Sequence, residues 1–246
     1  MKRLTKWTAI LAFTFTLASC DTLLKVLDAA TETGGITQSE AASGLKNALE
    51  IGVSNGTSFL GKKDGFLKNA AYKILMPPEV RNVESKIRSN PLANALAGPY
   101  LDKVVTAMNR GSENAMAKAK PIFINAVKSM TIQDAIGIVT GGDGAATSYL
   151  KRVTSAQLKS EFTPVIKKSL DGVNINEPWT KVSSAYNMVM NKQVETDLND
   201  YVTDKAMSAL FNQIKVEEDK IRANPAARTT DILKKVFGYA DSKKNG

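Results

Sequence analysis

Apolar residues recur at three- and four-residue spacing along most of this chain, with short polar breaks between, so the pattern predicts one helix after another. Thr37 followed by Glu40 is a capping-box start, and Ala41, Leu45, Ala48, Leu49 and Val53 then form one apolar face that should end near Asn55-Gly56. Asp64-Gly65-Phe66 reads as a turn. Tyr72, Ile74 and Met76 alternate before Pro77-Pro78, which suits either a short extended segment or a helix end. Glu79 to Ser89 is predicted helical, stopping at Asn90-Pro91. Pro99 is expected to open the next helix, whose apolar positions run from Leu101, Val104, Val105 and Met108 to Ile122, Phe123, Val127 and Met130. Pro121 within that run must kink the helix or begin a new one.

The middle of the chain holds its most unusual local chemistry, Thr140-Gly141-Gly142-Asp143-Gly144-Ala145-Ala146-Thr147. Thr131 and Asp134 should cap a helix through Ile132, Ala135, Ile136 and Val139, which stops at Gly141 or Gly142 because glycine tolerates the left-handed C-cap conformation. Asp143 is placed to offer its carboxylate to the free amides of a second helix through Tyr149, Leu150 and Val153. One reading is a tight corner between helices. The other is an amide cradle for an anionic group, although the spacing matches neither a P-loop nor a dinucleotide fingerprint.

Beyond the corner, Thr154 and Gln157 form a further capping box ahead of Leu158, Phe162, Val165, Ile166 and Leu170, with a bend expected at Pro164 and an end at Asp171-Gly172. Val173 to Glu177 reads as a loop with room for a short strand. Pro178 begins a helix carrying Trp179, Val182, Tyr186 and Val189; Asp197 begins the last long one, broken at Asn224-Pro225. A short helix from Thr229 or Thr230 should end at Gly238, leaving a polar tail. The expected fold is therefore all-α, a single helical domain of about eight to ten helices. At most a short β segment would lie near 72–76 or 173–176. Lys86-Ile87-Arg88-Ser89-Asn90-Pro91 is echoed by Lys220-Ile221-Arg222-Ala223-Asn224-Pro225, which either marks two diverged helical repeats or reuses one way of stopping a helix.

The N-terminus changes the picture most. Lys2, Arg3 and Lys6 precede an apolar run from Trp7 to Leu17, about half of the ~20 residues a membrane-spanning helix needs, so the stretch reads as a secretory signal. It ends in Leu17-Ala18-Ser19-Cys20, which resembles the bacterial lipobox, with the only cysteine where cleavage would expose it. By that resemblance Cys20 carries lipid. The division expected is 1–19 signal peptide, 20–36 lipid-anchored tether, 37–238 helical domain and 239–246 disordered tail. The protein would be exported and held on a bacterial membrane, facing the periplasm or the cell surface.

Composition then removes chemistry. Histidine is absent and Cys20 is the single thiol, which excludes Ser-His-Asp and Cys-His catalysis, histidine-based metal sites and disulfides; no metal and no cofactor is expected. The formal charge of +9 falls to +6 without Lys2, Arg3 and Lys6, a mildly basic body suited to anionic envelope ligands, and no basic run interleaved with aromatics points to nucleic acid.

The lipobox, Asp64-Gly65-Phe66, Met108-Asn109, Ala119-Lys120-Pro121-Ile122-Phe123, Gly141-Gly142-Asp143 with Ala145-Ala146-Thr147, Ile221-Arg222 with Asn224-Pro225, and Val236-Phe237-Gly238 together resemble a family of bacterial lipoproteins catalogued as domain of unknown function 4197. The resemblance runs from about Leu45 to Gly238. It implies an all-helical envelope lipoprotein and brings no catalytic residues with it.

Three functions follow. The first is a non-enzymatic lipoprotein that binds an envelope protein or scaffolds the envelope. The second is a small-ligand module at the corner, with Gly141, Gly142, Asp143, Thr147, Arg152, Asn109, Arg110 and Arg228 as lining candidates, the arginines suited to gripping a carboxylate or phosphate. The third is a carboxylate-only glycan-cleaving enzyme, which needs a buried glutamate of raised pKa. Glu113 and the Glu217-Glu218 pair are the catalytic candidates, Glu113 on what reads as a solvated helix face, and Glu217 and Glu218 read otherwise as pairing with Lys220, with Arg222 or with nothing.

Overall fold

The computed structural model describes residues 36–176, 179–180 and 197–244. Among these, seven α-helices and one 3-10 turn build a compact body from Gln38 onward, without strands. The helices are α1 (Gln38–Gly61), α2 (Pro78–Ser89), α3 (Pro91–Lys128), α4 (Ile132–Thr140), α5 (Ala145–Asp171), α6 (Leu198–Ala223) and α7 (Asp231–Lys244), with the 3-10 turn Pro225–Ala227 before α7. Four of them close a ring: α1 packs on α3, α3 on α5, α5 on α6 and α6 back on α1. The apolar faces read from the sequence line that ring, with Leu45, Val53, Met108, Phe123, Leu150, Phe162, Leu210 and Ile214 buried at its centre. Phe123 and Phe211 meet edge to face there, ring centroids 5.9 Å apart. Helix α4 covers α1 and α5, and α7 covers α1.

Several expected boundaries move. Helix α1 runs past Asn55-Gly56 to Gly61, because Gly56 is buried against α6 and packing outweighs the local helix-breaking signal. Helix α3 begins at Pro91 and continues through both Pro99 and Pro121 to Lys128, so neither proline starts a helix. Asn90 caps α3 by accepting from Ala93 N–H at 3.0 Å. Thr154 and Gln157 lie inside α5, which is one helix from Ala145 to Asp171; Thr154 spends its hydroxyl on the Leu150 carbonyl at 2.6 Å. Helix α7 passes Gly238 and reaches Lys244, where a tail was expected.

Residues 73–75 are irregular and join no sheet, and Val173-Asn174 forms a turn in which Asn174 is left-handed. The helix expected from Pro178 to Val189 lies outside the described residues except for Trp179, which is buried, and Thr180. The echoed segments share their ends, Asn90 and Asn224 both being extended before a proline. The helices they close do not correspond, since α2 is twelve residues with none buried and α6 is a core helix of twenty-six. The echo is a shared helix stop.

Candidate functional site

Two buried glutamates organise the irregular backbone of this molecule. The first is Glu113 on α3, 4% exposed rather than on a solvated face. Its Oε1 accepts from the Phe66 and Leu67 amides, each at 3.1 Å, and its other oxygen is bound by Arg110 one turn earlier. Arg110 also reaches Asp64 at 2.6 Å, and Lys68 reaches the second Asp64 oxygen at 3.2 Å. The hydrogen bonds from Arg110 and Lys68 hold the Asp64 carboxyl below its usual range, and those from Glu113 and Asp64 hold the Arg110 guanidinium above its own. The object being held is the Asp64-Gly65-Phe66 turn. Asp64 is left-handed at φ 70°, and a Cβ on Gly65 would stand 2.3 Å from the Leu60 carbonyl oxygen, so only glycine fits there.

The neighbouring residue, Asn109, works similarly without charge. Fully buried, it accepts from the Ile74 amide at 2.8 Å and donates to the Ile74 and Val105 carbonyls at 2.8 and 2.7 Å. It thus satisfies the backbone amide and carbonyl of Ile74, which join no helix or sheet.

The second glutamate, Glu218 on α6, sits at the central corner. Gly141 ends α4 in an ordinary right-handed conformation, and the left-handed residues are Gly142 at φ 77° and Gly144 at φ 78°. Thr131 caps α4 as expected, and with Asp134 it forms a full capping box, which holds the Asp134 carboxyl below its usual range through the Thr131 hydroxyl and amide. Asp143, however, does not cap α5. The N-cap is Gly144, which has no side chain, and the amides of Ala146 and Thr147 are taken by Glu218 at 3.1 and 2.9 Å, with the Thr147 hydroxyl at 2.7 Å. The α5 amides read in the sequence as a place for an anion are filled by an internal carboxylate. Arg222, one turn along α6, binds Glu218 at 2.9 Å and the Ile138 carbonyl at the end of α4 at 3.0 Å. Beside this cluster is a void of about 20 Å³ lined by Leu49, Gly52, Ala146, Glu218 and Arg222, room for a water and no more.

The other sequence candidates are dispersed. Arg152 is exposed, lying over the Tyr149 ring at 5.3 Å. Arg228 is buried at the end of α6, where it donates to the Ile221 and Arg222 carbonyls at 3.1 and 2.8 Å and pairs with Asp241 at 2.7 Å, satisfying helix-terminal carbonyls that have no intrahelical partner. Glu217 and Glu218 pair with Lys220 and Arg222 as expected, and Glu217 also accepts from Gln213 and Asn55.

Sequence reasoning missed the link between Glu218 and the corner. A signal existed: Glu218 falls four residues after Ile214 and three before Ile221, on the apolar face of α6, where a charge needs a buried partner. Glu113 has the same mark, three residues before Met116 and eight after Val105.

The family model described as Protein of unknown function (DUF4197) matches residues 35–238, which contains every element of both clusters. The chain belongs to the DUF4197 family. No curated protein and no solved structure matches it. In this DUF4197 protein no single described helix is long and apolar enough to cross a membrane, and the described residues hold no group of three or more aspartates, glutamates, histidines or cysteines placed to bind a metal.

Proposed function

We propose that this DUF4197 protein is exported, lipid-modified on Cys20 and held on a bacterial membrane, where its helical body serves as a non-enzymatic binding or scaffolding protein. The observation that carries the reading is Leu17-Ala18-Ser19-Cys20 directly after a basic start and an apolar run of signal-peptide length. Acyl chains on Cys20 would contribute about 0.8 kcal/mol per buried CH2, so several together hold the body at the bilayer.

The carboxylates support the non-enzymatic half of the reading. A general acid must present a proton to substrate, and Glu113 has both oxygens committed to backbone amides and Arg110. Glu218 is committed in the same way to α5 and Arg222. A ligand at the corner would have to displace Glu218 from the α5 amides.

Growth of a bacterium expressing the full chain with an alkyne-tagged fatty acid tests the anchor. Labelled protein in the membrane fraction, with label absent from Cys20→Ser, is the expected result. A wild-type chain that is exported without label would refute it.

A further inference from the structure

Some lysines on this surface face carboxylates, as Lys159 does Asp200 and Asp204, Lys167 does Asp171, Lys215 does Asp219 and Lys235 does Glu40. One groove instead gathers cations that do not. It has a volume of about 220 Å³ and runs between the irregular segment at 73–75 and α6. Tyr201, Lys205, Ser208 and Asn212 line it from α6 at successive turns of one helix face, Lys73 lines it from the irregular segment, and Arg81 lines it from α2.

Lys73, Arg81 and Lys205 have no ion-pair partner among the described residues, and no carboxylate lines the groove. Glu79 bears on the Tyr201 hydroxyl from α2 without lining it. The groove is also built rather than incidental. Tyr201 donates to the Leu75 carbonyl at 3.1 Å, Arg81 donates to the Met76 carbonyl at 3.0 Å, and Asn109 pins Ile74 from behind, so the backbone wall and Arg81 hold their places without a ligand, while exposed Lys205 lies over the Tyr201 ring at 5.6 Å and Lys73 is exposed. Three unneutralised cations, one with a guanidinium fork, beside hydroxyl and amide groups match a doubly charged oxyanion better than a single carboxylate. The volume is below the ~300 Å³ at which pockets for whole drug-sized ligands begin, which suits the charged end of a larger molecule.

We propose that this groove binds a phosphate group, presented either by a phospholipid headgroup or by a soluble phosphorylated compound. The inference stands on the groove alone and does not depend on lipid at Cys20.

Titration calorimetry on the full-length protein in a neutral detergent tests it, using glycerol phosphate, inorganic phosphate, and micelles doped with phosphatidylglycerol as separate probes. The expected result is saturable binding of at least one phosphate probe, weakened tenfold or more in Lys73→Gln/Lys205→Gln with an unchanged melting temperature. The matched pair Lys120→Gln/Lys151→Gln, exposed lysines elsewhere, should bind as wild type. Binding only to doped micelles assigns the phosphate to a lipid, and binding to glycerol phosphate assigns it to a soluble compound. Absence of binding by every probe, or equal weakening in both double variants, would overturn the proposal.

Discussion

The Glu113 and Glu218 clusters use the same parts: a glutamate on the core-facing register of a long helix, two successive backbone amides, and an arginine one turn away. They differ in what they fasten. Glu113 holds a turn made awkward by left-handed Asp64, and its arginine is about a third exposed and shared with Asp64. Glu218 holds the start of a twenty-seven-residue helix, and its arginine is nearly buried and also tied to the preceding helix. Burial of a glutamate is thus a poor sign of catalysis where amides and an arginine already satisfy it. The difference in surroundings also ranks the two, because a lost anion leaves a more deeply buried cation at Glu218 than at Glu113.

Glu218→Ala should break the comparison most sharply. Removing one member of a buried pair costs about 3–5 kcal/mol, read from the urea midpoint. Glu113→Ala should cost less, about 2–3 kcal/mol, because Arg110 keeps Asp64 and some solvent. Equal losses would show that arginine burial does not set the ranking. Asn109→Ala removes the uncharged counterpart and strands the Ile74 amide and carbonyl, an expected loss of about 2 kcal/mol by the same measurement. Gly144→Ala forces a Cβ into a left-handed N-cap beside the Glu218 cluster and should cost about 1–2 kcal/mol, whereas Gly137→Ala, at a helical site with open space, is the opposite-sign control and should stabilise by about 0.5–1 kcal/mol. The smallest effect concerns acid. The folded Asp64 pKa lies below its ordinary 3.8, so its contribution is complete above that value and is lost as pH falls through the lower folded one. Melting temperature should drop on acidification in that window, and less steeply in Asp64→Asn.

The helical class, the long core helices and the apolar faces were legible because each face repeats at helical spacing and is buried as a stripe. The breaks were less legible. Pro99 and Pro121 sit inside α3, and Asn55-Gly56 sits inside α1, because packing against neighbouring helices outweighs the local cost of a poor helix former. At the corner the glycine pattern identified the turn and the amide cradle, but the anion came from Glu218, seventy-two residues beyond Ala146. No local pattern specifies a partner at that distance. The register of Glu113 and Glu218 on apolar faces is a mark of burial that the reading of Glu113 as solvated passed over, and Lys73, Arg81 and Lys205 lie too far apart in sequence to read as one groove.

The central claim, that the buried glutamates hold backbone rather than act on a substrate, is tested most directly by the unfolding free energy of Glu113→Gln. The amide keeps the shape but weakens the bonds to the Phe66 and Leu67 amides and removes the charge facing Arg110, so the account predicts a loss of about 1–3 kcal/mol. Stability unchanged or raised, the behaviour of a group kept for activity at the expense of the fold, would contradict it.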